Sequence, residues 1–151
     1  MEPKTKCTRN FSKSTLELFV DTTIKTTSTV DPDSSLNYHS YLITMKNVSD
    51  SNVFIGYSNE LYFINREAKD KSGRWVKIDK KLQEMSMCGT GQPFIYLRPG
   101  EFLISKVKRY KGNMVTDFRL VFGYHSNIVY SNVFRDSIDE KTFQLLKGST
   151  Y

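Results

Sequence analysis

Apolar and polar residues alternate along much of this chain, which is the two-residue period of a strand with one buried face. Residues 14–27 begin the pattern, with Leu16, Leu18 and Val20 on one face. Residues 36–47 continue it with apolar side chains on both faces, as is typical of a central, covered strand. The pattern therefore predicts strands rather than helices at the start of the domain.

Further apolar runs follow at fairly regular intervals and are separated by turn signals, a spacing typical of an all-β protein. Gly56 lies inside one run and favours a bulge, with a split of the strand near Ser58 and Asn59 as the alternative. The last runs, 115–124 and 128–134, have the pattern of a hairpin. The other predicted strands after residue 47 are 53–66, 74–78, 93–97 and 101–107.

The tetrapeptide Arg98-Pro99-Gly100-Glu101 separates two of these runs. Proline at the second position of a turn and glycine at the third are typical of a type II turn. The sequence therefore predicts a sheet corner here.

The end of the chain has a different pattern. Residues 137–146 predict a short helix or turn, with Ser137 and Glu140 at the spacing of a capping box and Gly148 at its end. The whole pattern predicts an all-β fold, specifically an antiparallel β-sandwich of about eight strands, with a barrel as the alternative closure. Residues 1–12 are expected to form a flexible tail and residues 13–151 a single domain.

Composition agrees with this fold class and adds a basic charge. Aromatic residues make up 13% of the chain and the formal net charge is +6. The charges are scattered, as on a solvated surface. The exception is the segment 105–113, where four cations surround Tyr110. Such a segment can bind a nucleic-acid backbone, but a solvated loop or a charged sheet edge is the preferred interpretation, so no nucleic-acid partner is expected.

Candidate catalytic chemistry is sparse. Gly89 and Gly91 form a G-x-G pair, but Pro93 and a strand follow where a phosphate loop would need a helix. Cys88 would need a base to act as a nucleophile, and only His39 and His125 are available. The cysteines and histidines do not have zinc-ligand spacing. The sequence thus predicts no enzyme, no catalytic residue, no metal site and no cofactor.

Three other features carry alternatives. Trp75 is expected to fill the core, although an exposed hot spot for binding is the alternative. Asn10 and Asn47 match the glycosylation sequon, which also arises by chance. Cys7 and Cys88 either pair or remain two free thiols.

The stretch from Trp75 to Asn132 resembles bacterial immunoglobulin-like or fibronectin-III-like domains of cell-envelope proteins. In those domains a tryptophan strand precedes an L-x-P-G-E corner, and a terminal hairpin closes the sandwich. The resemblance covers roughly residues 40–135. The residues that carry it are Trp75, Leu97, Pro99, Gly100, Glu101, Tyr130, Ser131 and Asn132.

The resemblance implies a non-catalytic interaction or structural domain of a periplasmic, outer-membrane-anchored or secreted protein, with an unidentified protein or glycan partner. It also implies a leader peptide and a lipid-bearing cysteine, a role that Cys7 would suit. The first ten residues are too polar for a signal sequence and no apolar run is long enough to span a membrane. The alternative is therefore a small cytosolic immunity-type protein that binds and neutralises a toxin or effector.

Overall fold

The computed structural model describes residues 7–8, 12–29, 37–57, 64–79, 94–124 and 127–147. Within these ranges the chain forms eleven strands and one short helix. The strands are β1 (Cys7–Thr8), β2 (Leu16–Thr29), β3 (Asn37–Asn47), β4 (Asn52–Tyr57), β5 (Ile64–Lys69), β6 (Trp75–Lys77), β7 (Phe94–Leu97), β8 (Phe102–Lys108), β9 (Met114–Tyr124), β10 (Asn127–Tyr130) and β11 (Phe134–Ile138), and the helix is α1 (Lys141–Lys147).

The strands form three sheets. One has the order β2-β3-β8 and a second has the order β1-β4-β7. The third, which we call the five-stranded sheet, has the order β10-β9-β5-β6, and β11 also pairs with β9. All the strand pairs are antiparallel except β1 with β4. The predicted all-β class is confirmed, whereas closure into an immunoglobulin-like sandwich remains a prediction.

The alternation in the sequence corresponds to one buried core. Its residues come from all three sheets, and the long strands β2, β3 and β9 contribute every second side chain, as the pleat requires. Leu120, Phe122 and Ile55 are among the side chains with no measurable exposure. Burial of such side chains is worth about 1.5–3 kcal/mol each, so this core is the main source of stability. Its other members include Leu16, Leu18, Val20, Tyr41, Ile43, Met45, Val53, Phe118, Val129, Phe134 and Ile138.

The predicted type II turn at residues 98–101 is confirmed. Gly100 has a φ of 79°, which an L side chain rarely adopts, and Glu101 N donates to Arg98 O at 3.0 Å. The turn is held against the end of β3, because Gly100 N donates to Asn47 O and Asn47 N donates to Glu101 O. The corner between β7 and β8 is thus fixed to a third strand.

Irregular pairings lie where the sequence contained breaks in the pattern. The β4–β7 register shifts between Phe54 and Gly56, which confirms the predicted bulge. The long predicted strand 53–66 is divided into β4 and β5, which belong to different sheets. A larger bulge interrupts β2 between Asp21 and Thr26. There Asp21 Oδ1 accepts hydrogen bonds from the backbone and hydroxyl of Thr23, which shape the bulge.

Two boundaries differ from the sequence prediction. Residues 128–134 were predicted as one strand, but residues 131–133 separate β10 from β11, and both strands pair with β9. Ser137 was predicted to cap the helix, but it lies in β11. Asp139 caps α1 instead, since its carboxylate accepts from Lys141 N at 3.0 Å. The β11 pairing with β9 takes precedence over the local capping pattern.

The short strand β1 lies inside the predicted flexible tail and pairs with β4. Residues 30–35, where Pro32 between Asp31 and Asp33 favours a turn, fall outside the described residues. Among those described, no helix has the length and apolar character needed to cross a membrane.

Candidate functional site

The residues considered for catalysis are not brought together in the part of the chain that the structure describes. His39 lies on β3 and is exposed, whereas Cys88, Gly89, Gly91 and His125 fall outside the described residues. Cys7 belongs to β1, but its side chain is not among those that the structure describes. Within the described ranges, no group of three or more His, Cys, Asp or Glu side chains could hold a metal ion.

Two residues of the basic segment 105–113, Arg109 and Tyr110, contact the interior of the protein. Arg109 pairs with Asp136 at 2.8 Å, and the Asp136 side chain is only 2% exposed. The guanidinium also lies 4.7 Å from the ring centre of Tyr41, a buried core residue. We call Arg109, Asp136 and Tyr41 the first inner cluster. It uses the arginine to neutralise a buried carboxylate.

The neighbouring Tyr110 belongs to a second inner cluster with Arg66 and Asp79. Tyr110 donates a hydrogen bond to Asp79 Oδ1 at 2.9 Å, and Arg66 pairs with the same carboxylate at 2.6 Å. The Arg66 guanidinium lies 4.4 Å from the Tyr110 ring centre. Consecutive residues of the basic segment therefore lock it to two different parts of the core, which supports a structural role for Arg109 and Tyr110.

Burial dominates the protonation of both tyrosines. Desolvation, followed by the negative charge of Asp136, raises the pKa of Tyr41 to about 12. Desolvation likewise raises the pKa of Tyr110 to about 12, although the charge of Arg66 opposes the shift. A phenol with a raised pKa stays neutral, so both clusters keep their hydrogen-bond donors well into the alkaline range.

Asn47 of the predicted sequon is fully buried and its amide is already used. Its Nδ2 donates to the carbonyls of Ser51 and Leu97, at 2.7 and 2.8 Å. Its Oδ1 accepts from the backbone of Ser49 at 2.9 Å. In the folded protein this side chain joins the ends of β3 and β7 and is not an accessible glycosylation acceptor.

Trp75 does not fill the core as predicted. It begins β6 and is half-buried, and it lies outside the core cluster. The Arg119 guanidinium lies 4.3 Å from its ring centre, and Lys69 Nζ lies 5.2 Å from it. The prediction failed because the core-facing positions of this hairpin are Ala68 and Val76, one residue out of phase with Trp75. The ring is neither part of the core nor fully exposed, and a role of Trp75 in binding stays a prediction.

A stack of cations and rings runs across the outer face of the five-stranded sheet. Arg119 on β9 lies between two aromatic rings, because its guanidinium is also 3.9 Å from the ring centre of Tyr130. Glu67 on β5 pairs with the same guanidinium at 2.6 Å. A flat guanidinium can stack on two rings and still bind a carboxylate through its edge. The contacts hold Arg119 in one orientation.

A second ion-pair system continues the face. Asp117 accepts from Lys69 at 3.0 Å and pairs with Arg135 at 3.4 Å. The hydrogen bond from Lys69 is the main cause of a lowered pKa at Asp117, so this carboxylate stays ionised below its ordinary range. Lys77, opposite Glu67 on β6, adds a further exposed cation. The face thus has four cations against two carboxylates and is locally basic.

The other edge of Trp75 lines an open groove between the β5–β6 hairpin and α1. The groove has a volume of about 350 Å³, comparable with small binding pockets. Its floor is apolar and its rim carries an ion pair at 3.1 Å between Arg74 and Asp70. The lining residues are Asp70, Arg74, Trp75, Val76, Phe143 and Leu146.

We define the Trp75 surface as the stack of Trp75, Arg119 and Tyr130, the carboxylate Glu67 that pairs with Arg119, the adjoining ion pairs of Asp117 with Lys69 and Arg135, and this groove. The two-residue period of β9 directs Asp117 and Arg119 away from the core. The sequence alone therefore identifies these two residues as outward-facing. The predicted hairpin already placed Tyr130 beside β9, as the structure shows. The pairing of β5 with β9 and of β6 with β5, which brings Trp75 to Arg119, was not predictable from the pattern. Comparison of the chain with protein-family models, curated proteins and solved structures gave no match.

Proposed function

We propose that this protein is a non-catalytic binding module that recognises a protein partner through the Trp75 surface. The observation that carries the proposal is the accessible stack in which Arg119 lies between Trp75 and Tyr130. Tryptophan, tyrosine and arginine are the residue types most enriched at the energetic centres of protein interfaces.

The stack is also organised before binding. Each of its members is held by neighbours on adjacent strands, so a partner loses little affinity to the ordering of these side chains. Arg119 and Glu67 have side-chain exposures of only 20% and 21%, which limits their motion. A rigid centre surrounded by polar contacts is the arrangement expected of an interface.

The surface also indicates the chemistry of the partner. An apolar side chain of the partner would enter the groove beside Trp75, because the groove floor is built from Val76, Phe143 and Leu146. Acidic residues around that side chain would complement the cations Lys77 and Arg135. We therefore infer a partner epitope with an apolar anchor and acidic neighbours.

For the biological setting we keep the two alternatives proposed from the sequence. An envelope-associated or secreted interaction domain remains our first proposal, and a small immunity-type protein that neutralises a toxin is the second. The first admits a protein or a glycan partner and the second requires a toxin or effector protein, so the identity of the partner distinguishes them.

The experiment is a quantitative affinity purification from the source cells with the tagged wild-type protein and two variants. Trp75→Ala removes the centre of the surface, and Val48→Ser is the control, because Val48 is exposed outside it. We expect a partner that the wild type and the control retain and that Trp75→Ala loses. Binding measured with purified proteins should weaken at least tenfold for Trp75→Ala, as for an interface hot spot.

Two results would contradict the proposal. One is a set of partners that bind all three proteins equally. The other is a hydrolytic turnover by the wild type that disappears on substitution of His39 or Cys88.

A further inference from the structure

A second surface, on the β2-β3-β8 sheet, exposes apolar side chains in one block. The exposed fraction is 53% for Phe19 on β2, and 61% and 54% for Phe102 and Ile104 on β8. All three lie on the outer face of the β2-β3-β8 sheet, because their neighbours Leu18, Leu103 and Met45 face the core. We call this face the Phe19 face. Exposed apolar blocks on a sheet are typical of protein contacts.

The strand register orders the Phe19 face into three rows. Each row runs from β2 across β3 to β8, and the residues in a row are directly paired. The rows are Glu17–Lys46–Phe102, Phe19–Thr44–Ile104 and Asp21–Leu42–Lys106.

Charge divides the face along the strands. The two carboxylates, Glu17 and Asp21, both lie on β2, whereas β8 carries the cation Lys106 in the row of Asp21. Asp21 and Lys106 are separated by the whole width of β3, roughly 9–10 Å at the usual strand spacing. The two side chains are not paired with each other: Asp21 Oδ1 accepts from Thr23 and Ile24, whereas Lys106 Nζ reaches across β3 and donates to Thr27 O of β2. A partner that presents a carboxylate over β8 would therefore compete with Thr27 O for Lys106.

We propose that a second copy of this chain covers the Phe19 face, related by a two-fold axis parallel to β3. This rotation places β2 of each copy over β8 of the other at the same level along the strands. Phe19 then faces Ile104 of the second copy, and Asp21 faces Lys106 of the second copy. Each contact occurs twice, as a two-fold interface requires.

The charges select this axis over the other in-plane choice. A two-fold axis perpendicular to the strands would place Glu17 over Asp21 of the second copy, and like charges at an interface are unfavourable. The chosen axis brings the two copies of Lys46 together, but Glu17 lies beside Lys46 in its own chain and offsets that repulsion. In the single copy Lys106 Nζ donates to Thr27 O at 3.0 Å, so pairing with Asp21 of the second copy requires the ammonium group to leave this acceptor.

The size of the face predicts a weak dimer. Three strands and the seven residues of β8 cover about 350 Å² per copy at the usual strand spacings. Stable interfaces bury about 800 Å² per partner. We therefore expect reversible self-association that becomes visible only at high protein concentration.

The test is self-association of the full chain, measured by sedimentation velocity and by concentration-dependent NMR line widths. Phe19→Ser and Lys106→Asp should each weaken the dimer about tenfold, because they remove apolar burial or replace attraction with repulsion. Val115→Ser is the matched control, since Val115 is equally exposed on the five-stranded sheet, and it should leave the association unchanged. A monomer at all concentrations, or weakening by Val115→Ser but not by Phe19→Ser, overturns the proposal.

A mixing experiment tests the axis. The D21K and K106D variants should each self-associate poorly, whereas an equimolar mixture should associate at least as strongly as the wild type. Because Asp21 Oδ1 also holds the bulge through Thr23, D21N provides a second variant that keeps this acceptor. D21N should weaken the dimer and reduce its salt dependence. A mixture no stronger than its components, or D21N equal to the wild type, overturns the predicted pairing.

Discussion

Two regions of this molecule combine arginine, a carboxylate and an aromatic ring, and they differ in what is buried. In the first inner cluster Arg109 pairs with Asp136, whose side chain is 2% exposed. On the Trp75 surface Arg135 pairs with Asp117, whose side chain is 27% exposed. The same residue types stabilise the fold in one place and form an accessible surface in the other.

The difference lies in the cost of losing a partner. A buried carboxylate without its cation is left in an apolar environment and cannot recover the lost interaction from water. An exposed carboxylate exchanges its cation for water at little cost. The Arg109–Asp136 pair is therefore expected to be constrained by stability, and the Arg135–Asp117 pair to be free to serve recognition.

The largest expected effect comes from Arg109→Ala. Loss of this side chain leaves Asp136 buried without a cation, so the free energy of unfolding should fall by about 3 kcal/mol. Urea unfolding of the wild type and the variant measures the change. A loss below about 1 kcal/mol would show that water reaches Asp136, and the contrast between the two regions would fail.

Alkaline pH should destabilise both inner clusters through their tyrosines. Tyr41 and Tyr110 each have a pKa raised from 10.0 to about 12, so the unfolded chain loses these protons first. Their contribution to stability is therefore complete below pH 10 and is lost as the pH rises toward 12. Tyr110→Phe should flatten this decline in unfolding experiments, and the phenolate absorbance should report late titration of both tyrosines. A normal titration near pH 10 in the folded protein would argue against burial as the cause.

Arg119→Ala should have a moderate effect on stability and a larger one on binding. It removes two ring contacts and one partly exposed ion pair, which together are worth about 1–2 kcal/mol. Arg119→Lys keeps the charge but not the planar group, so it should recover only part of the loss. Thermal unfolding measures the stability, and Trp75 fluorescence should change in both variants. Full recovery by lysine would show that charge alone matters here.

Arg135→Ala should have the smallest effect. Its side chain is 68% exposed and Asp117 keeps Lys69 as a partner, so the free energy of unfolding should change by less than about 0.5 kcal/mol. Urea unfolding beside Arg109→Ala makes this a matched comparison of two arginines. A loss as large as that of Arg109→Ala would remove the distinction between the regions.

A separate packing contact tests how the basic segment is held. Gly112 lies against the backbone of Ile138 and Asp139 so closely that a methyl group at this position would overlap them. Gly112→Ala should therefore displace the segment, and hydrogen exchange should increase at β11. Lys111→Ala, at the exposed neighbouring position, is the control and should leave exchange unchanged.

The sequence alone determined the strand class, most strand positions and the type II turn at residues 98–101. These features follow from local rules, namely the two-residue period of a pleated strand and the φ preferences of proline and glycine. Local rules failed at Ser137, where a capping pattern lost to pairing with β9. They also failed at Trp75, because the hydrophobicity of a short strand does not indicate which of its faces packs against the core.

Only the tertiary structure decided which residues meet. Trp75 lies on a strand far in the chain from the hairpin that carries Arg119 and Tyr130, and strand order unites the three on one face. The tertiary structure likewise places Arg109 and Tyr110 in two different inner clusters, so part of an apparently basic segment packs against the core. The physical reason is that side-chain direction is a property of each strand, whereas contact between strands depends on the arrangement of the whole sheet.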